Sequence, residues 1–170
     1  MSEIFLADPK LEDVPFEDVR DFYQLWLDMK AEHGKPQRKH FTPMMLKQHL
    51  PYVVLLDCEQ DGSFKVRLVG TRYTEVIGFE STGMDVRELP GAAKMLERYR
   101  WLVENEKPYF ASLDKMTWGK HDYRNYAIVG CPLYDDDGQV NMILFRVTFE
   151  KLEGQLPEGL PTLPGMVGDE

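Results

Sequence analysis

The sequence predicts an α+β fold: a five-stranded antiparallel sheet with helices on one face and an N-terminal helix outside the core motif. Three observations predict it. Two strand-length runs, "YVVLLD" at Tyr52–Asp57 and "QVNMILFRVTF" at Gln139–Phe149, are apolar on both faces, the pattern of strands covered on either side. Asp61-Gly62 and "DDDG" at Asp135–Gly138 are hairpin-turn signals. Between the hairpins, sheet patterning gives way to Gly-punctuated turns and one helix-length amphipathic run, Ala92–Glu104.

Length and charge narrow the class. A chain of 170 residues suffices for one core and is short for two. A hydrophobic content of 43% predicts a packed domain. A net charge of -9 argues against nucleic acid and anionic membrane as partners, since each is a polyanion that needs a basic face. Two cysteines, Cys58 and Cys131, cannot form a disulfide framework. No apolar run approaches the ~20 residues that span a bilayer. The acidic start "MSEIFLADPKLEDVPFEDV" lacks the basic and apolar regions of a signal peptide. The expectation is a cytoplasmic protein with reduced thiols. Three regions follow: a lead over residues 1–17, the domain with its N-terminal helix over 18–150, and a Pro/Gly-rich flexible tail over 151–170.

Each element has its own signal. Asp18 or Glu17 is a candidate cap for the first helix, whose Val19, Phe22, Tyr23, Trp26, Leu27 and Lys30 fall at helical spacing. Gly34 and Pro36 end it. "FTPMMLKQHLP" reads as a short helix capped by Thr42, with Pro43 at its first position and Pro51 as its stop. "FKVRLVG" is half polar and suits a sheet edge. Thr71 is placed to cap a short helix over Arg72–Ile77, and Gly78 to take the left-handed position after it. Thr82 and Asp85 have capping-box spacing for another turn. Met95, Leu96, Tyr99, Leu102 and Val103 share one side of the longer helix. Strands follow at Tyr109–Trp118 and Tyr123–Leu133, the first of them charged enough for an edge. The first and last strands, buried on both sides, are expected to be central neighbours.

This layout is that of a PAS domain, and the residues carry the likeness further. Trp26, Gly34-Lys35-Pro36, Phe41-x-Pro43, Leu50-Pro51 and Asp57 precede "RLVGT" at Arg67–Thr71, Gly78, Thr82-Gly83, Pro108 and Pro132-Leu133. Over roughly Phe22 to Val147 the chain resembles the single-domain PAS family of alphaproteobacterial proteins. The resemblance implies a regulatory or sensory fold in bacterial signalling with no catalytic activity of its own, and it implies no particular ligand.

The residues themselves show no reaction centre. His33, His40, His49 and His121 lack metal-ligand spacing. "DDDG" is too compact for a calcium loop. No nucleophile motif or phosphate-binding glycine loop is present. Haem-binding PAS domains use a histidine on the long helix, and Ala92–Glu104 has none; neither cysteine sits where light-sensing flavin domains keep theirs. No metal and no cofactor are therefore expected, and no enzyme. Tyr73, Met84, Tyr99 and Cys131 are the candidates for lining a small-molecule cavity between helices and sheet. Phe22, Tyr23 and Trp26 are the candidates for a partner contact, in a homodimer or with other signalling proteins. Arg67, a charge inside a strand pattern, is expected to pair with an acid of the N-terminal segment or to bind an anion. The expected function is a stand-alone regulatory module that works by sensing a small molecule or by protein contact. A small-molecule carrier or enzyme on a similar α+β fold is the alternative.

Overall fold

The structure is a computed structural model and describes residues 4–113 and 126–149. Six strands among these form one antiparallel sheet: β1 (Ile4–Ala7), β2 (Val53–Cys58), β3 (Phe64–Val69), β4 (Tyr109–Leu113), β5 (Tyr126–Tyr134) and β6 (Val140–Thr148), in the order β1-β4-β5-β6-β2-β3. The two runs apolar on both faces, β2 and β6, are central neighbours as their patterning predicts, with Val54 opposite Phe145. The half-polar β3 is an edge. The far ends of the strands expected at Tyr109–Trp118 and Tyr123–Leu133, with His121, lie outside the described residues, as does the tail 151–170.

The sheet has six strands rather than five. The extra strand is "IFLA", inside the segment expected to be a lead. Four residues are too few to show strand alternation, and it is β4 that gives them their hydrogen-bond partners, with Phe5 opposite Ala111. β4 is therefore not an edge. β1 covers it, so the edge at this end of the sheet is only four residues long, which limits edge-to-edge association there.

Helix α1 (Glu17–His33) lies on one face of the sheet. Phe16, extended, precedes its first turn, and Glu17 and Asp18 fall inside that turn rather than capping it; there they still favour the helix dipole. Gly34, at φ 77°, ends the helix. Val19, Phe22, Tyr23 and Trp26 pack in one cluster with Val129, Cys131, Leu133 and Leu144 of β5 and β6. The indole Nε1 of Trp26 donates to the Pro132 carbonyl (3.0 Å), and the Tyr23 hydroxyl to that of Pro9 (2.7 Å).

Helix α3 (Ala92–Asn105) and a 3-10 turn at Val86–Glu88 cover the opposite face, while α2 (Thr71–Ile77) borders both layers, its Val76 and Ile77 packing with the α1-side cluster and its Tyr73 touching both. Gly70, not Thr71, precedes α2. A Cβ at Gly70 would lie 2.3 Å from the carbonyl oxygens of Leu50 and Pro51, so this close approach of two backbone segments demands glycine. Asp85 caps the 3-10 turn by accepting from Arg87 N (2.8 Å), but Thr82 bonds instead to Glu80, and the expected capping box does not form.

The segment expected as a helix after Thr42 is a succession of turns. Thr42 Oγ1 does accept from Met45 N (3.2 Å), yet the backbone bonds then mix three- and four-residue spacings before a 3-10 turn at Leu50–Tyr52. So short a run cannot offset the cost of helix nucleation, and it buries Leu46 and His49 instead of forming a regular ladder. Arg67 pairs across the hairpin with Asp57 (3.2 Å) rather than with the N-terminal segment: the register sets Asp57 opposite Lys65, and Arg67, the extra residue at the irregularity between Val66 and Leu68, reaches it diagonally, while α1 packs on β5 and β6.

Candidate functional site

Three places bring polar or reactive groups together. The first is the chamber between the sheet and α2–α3. Val54, Leu56 and Val66 form its floor; Tyr73, Ile77, Met95 and Tyr99 form its walls. Its free volume is about 20 Å³, room for one water at most. Tyr99 packs against Phe64 (centroids 5.4 Å) and Phe145 (5.3 Å), and burial holds its hydroxyl well above the usual tyrosine pKa.

Of the four cavity candidates, the structure brings Tyr73 and Tyr99 together here. Met84 sits at the margin, its carbonyl accepting from Val66 N (2.9 Å) on the outer edge of β3. Cys131 lies on the opposite face beneath α1, because residue alternation along β5 sets it beside Leu144 and not beside Phe145. It is fully buried, and desolvation raises its thiol far above the ordinary value. It serves as a small core residue.

The partner contact assigned to Phe22, Tyr23 and Trp26 also needs correction. They are 0%, 1% and 2% exposed inside the chain's own fold. The α1 face of the sheet is apolar and has no comparable cover, so the stripe is consumed there and offers nothing to a second molecule.

The second place escaped sequence reasoning because it is built from turns distant in sequence. A groove of about 690 Å³ runs between the β2–β3 and β5–β6 turns and the second half of α3. Cys58, Phe64, Val103 and Val140 line it, together with Arg100 and the acids Glu59, Glu104, Asp135 and Asp137. The Cys58 thiol is pushed up to about 12, by burial first and then by Asp57 and Glu59, so it stays protonated and unreactive.

The third place is a buried polar cluster under α1. Arg146 of β6 is 4% exposed and His49 is 2% exposed. Arg146 Nε donates to His49 Nδ1 (3.0 Å), its guanidinium lies 4.4 Å from the Tyr52 ring centroid, and its Nη2 is 3.6 Å from Asp18 of α1. Burial and the Arg146 charge lower the His49 pKa, against the opposing pull of Asp21 and Asp18. One signal could have marked this cluster: a single charge, Arg146, inside the apolar run "MILFRVTF". Among the described residues no group of histidines, cysteines and carboxylates could hold a metal ion, and no helix is long and apolar enough to cross a membrane.

A family model described as "PAS domain" matches residues 16–141. No curated protein matches the chain. Among solved structures, it is similar to VqmA bound to DPO, at 20% identity and a TM-score of 0.50 over 64% of this chain and 57% of that one. It is similar to an RNA-binding light-oxygen-voltage receptor, at 10% identity and a TM-score of 0.51 over 86% of this chain and 38% of that one. A sensory box sensor histidine kinase from Vibrio cholerae matches at 15% identity and a TM-score of 0.47, over 73% of this chain and 94% of that one. The match thus spans a little over half the length of the VqmA chain. At these identities the first two likenesses show the fold.

Proposed function

The chain belongs to the PAS-domain family, and from that premise we propose that it is a regulatory module, of the single-domain bacterial kind, whose output is contact with other signalling proteins. The observation that carries this reading is the filled chamber. In the chamber between the sheet and the start of α3, Tyr73, Met95 and Tyr99 leave only about 20 Å³, so a ligand of ordinary size, several hundred Å³, has no place in that chamber without moving these side chains. The chemistry supports a role without catalysis. Cys58, Tyr99 and Cys131 all have pKa values raised by burial, whereas a nucleophile at neutral pH needs a lowered one.

Small-molecule sensing through the same chamber is the second reading, favoured by Tyr73, Ser81 and Tyr99, three hydroxyl-bearing residues in an otherwise apolar lining. Native mass spectrometry of the purified protein, run beside capture of partners on the immobilised chain, separates the two. Specific capture with no retained small molecule supports the contact reading. A stoichiometric small molecule that is lost on Tyr99→Trp replaces it with ligand sensing. A turnover assay positive on any compound so retained would favour the carrier or enzyme alternative.

A further inference from the structure

The stretch from residue 33 to residue 56 contains no acid, although the chain carries a net charge of -9. It holds Lys35, Arg38, Lys39 and Lys47. It is also where apolar surface is uncovered. Among the described residues the exposed large apolar side chains are Met44 (80%), Leu50 (37%) and Leu68 (37%). Two belong to this stretch, and Leu68 stands next to it on edge strand β3. Leu50 and Leu68 form the mouth of a groove with Arg38, Phe41 and Leu46, with a free volume of about 30 Å³. That is room for the branched end of one aliphatic side chain.

The remaining sequence supplies a complementary segment. Residues 150–170 carry Glu150, Glu153, Glu158, Asp169 and Glu170 against the single cation Lys151, together with Leu152, Leu156, Leu160 and Leu163. The chain enters this segment close to the groove. Arg146 is opposite Val53 in the sheet, so the end of β6 lies beside the Leu50–Tyr52 turn. The Phe149 ring is 5.9 Å from that of Tyr73 in α2, and the start of α2 rests on Leu50 and Pro51 through Gly70. From β6 to β3 is two strand spacings, about 10 Å, and ~6 extended residues reach about 20 Å.

We propose that the Leu50–Leu68 groove is the docking site of the chain's own C-terminal segment, with a leucine of residues 152–163 seated between Leu50 and Leu68 and the neighbouring acids facing Arg38, Lys39 and Lys47. Tethering supplies a millimolar effective concentration, which suits a shallow groove that a free peptide would hold weakly. A second copy is a poorer occupant, since a symmetric contact sets one basic rim against another. An anionic bilayer is poorer too, since it would repel the net negative chain. A docked tail covers Leu50 and Leu68 until a competing partner displaces it. This inference does not depend on what the chamber binds.

The test uses the full-length protein and a Glu-specific protease, with cleavage after Glu153 and Glu158 followed by mass spectrometry. Cleavage is expected to be about tenfold faster in Leu68→Asp and in the double variant Lys39→Glu/Lys47→Glu than in the native chain. It should also rise in the native chain between 50 mM and 500 mM salt. The two charge changes lie on exposed side chains, so they test the groove even if Leu68→Asp lowers the melting temperature. Equal cleavage rates in the native chain and both variants overturn the proposal. A native dimer that Leu68→Asp converts to a monomer overturns it in favour of a second copy. Co-sedimentation with phosphatidylserine vesicles that Lys39→Glu/Lys47→Glu abolishes overturns it in favour of a bilayer.

Discussion

Arg146 occupies a position on β6 flanked by Phe145 and Val147, where a leucine would pack. Its charge is tolerable there because Nε is bonded to His49, the guanidinium lies over Tyr52 and Asp18 is close. The arrangement requires a neutral His49, since Nδ1 must accept the Arg146 proton. The folded His49 pKa is lowered by burial and by Arg146, below the ~6.5 of an unfolded histidine. The unfolded chain therefore takes up the proton first as pH falls. The stabilisation is full above about pH 6.5 and is lost as pH drops from there through the folded pKa. The melting temperature of the native protein is expected to fall more steeply between pH 7 and 5 than that of His49→Gln, whose amide oxygen can still accept from Arg146. Parallel pH profiles would count against a buried neutral histidine. Gly78 presents a simpler case. It follows α2 at φ 91°, ψ 5°, where a Cβ is disfavoured. Gly78→Ala is expected to destabilise by about 1 kcal/mol, read as a lower denaturant midpoint at unchanged slope.

At the scale of elements, α1 and β1 do what the core motif cannot do alone. Helix α3 covers one face of β5, β6 and β2, and the other face would meet water without α1. Trp26 anchors that lid by filling space against the sheet and by donating to the Pro132 carbonyl. Trp26→Ala removes both and is expected to cost about 3–5 kcal/mol, measured by denaturant unfolding. A loss under 1 kcal/mol would mean that α1 packs only loosely. β1 adds Phe5, stacked on Tyr109 (centroids 5.0 Å) and edge-on to Trp101 (5.3 Å), so the strand ties the end of the sheet to α3.

For the whole molecule, the result is a sheet covered on both faces, with almost no empty space in the chamber beneath Tyr73 and Tyr99 and an open groove of about 690 Å³ at the second half of α3. That has a spectroscopic consequence. A chamber of about 20 Å³ admits no haem or flavin ring system, and α3 offers no histidine as an iron ligand. The purified protein is expected to show no visible absorbance. A stoichiometric band that disappears on unfolding would show that the chamber opens to hold a chromophore.

The sequence by itself determined the strand and helix inventory wherever a period was long enough to read. Two-sided apolar runs made β2 and β6 central, half-polar patterning made β3 an edge, and Gly78 followed from the stop after α2. Tyr73 and Tyr99, offered as cavity lining from helix faces and family resemblance together, both border the one chamber. Only the tertiary structure decided the rest, and the reason is common to every case. β1 is four residues long and exists because β4 lies beside it. Gly70 is glycine because Leu50 and Pro51 approach it from twenty residues away in sequence. Cys131 turns toward α1 because the register of β5 against β6 fixes which face each side chain takes, and a shift of one residue would reverse it. Arg146 finds His49 and Asp18 on elements that only folding brings together. Local spacing carries information about what a segment can be; which of its neighbours it meets is set by contacts between segments that spacing does not encode.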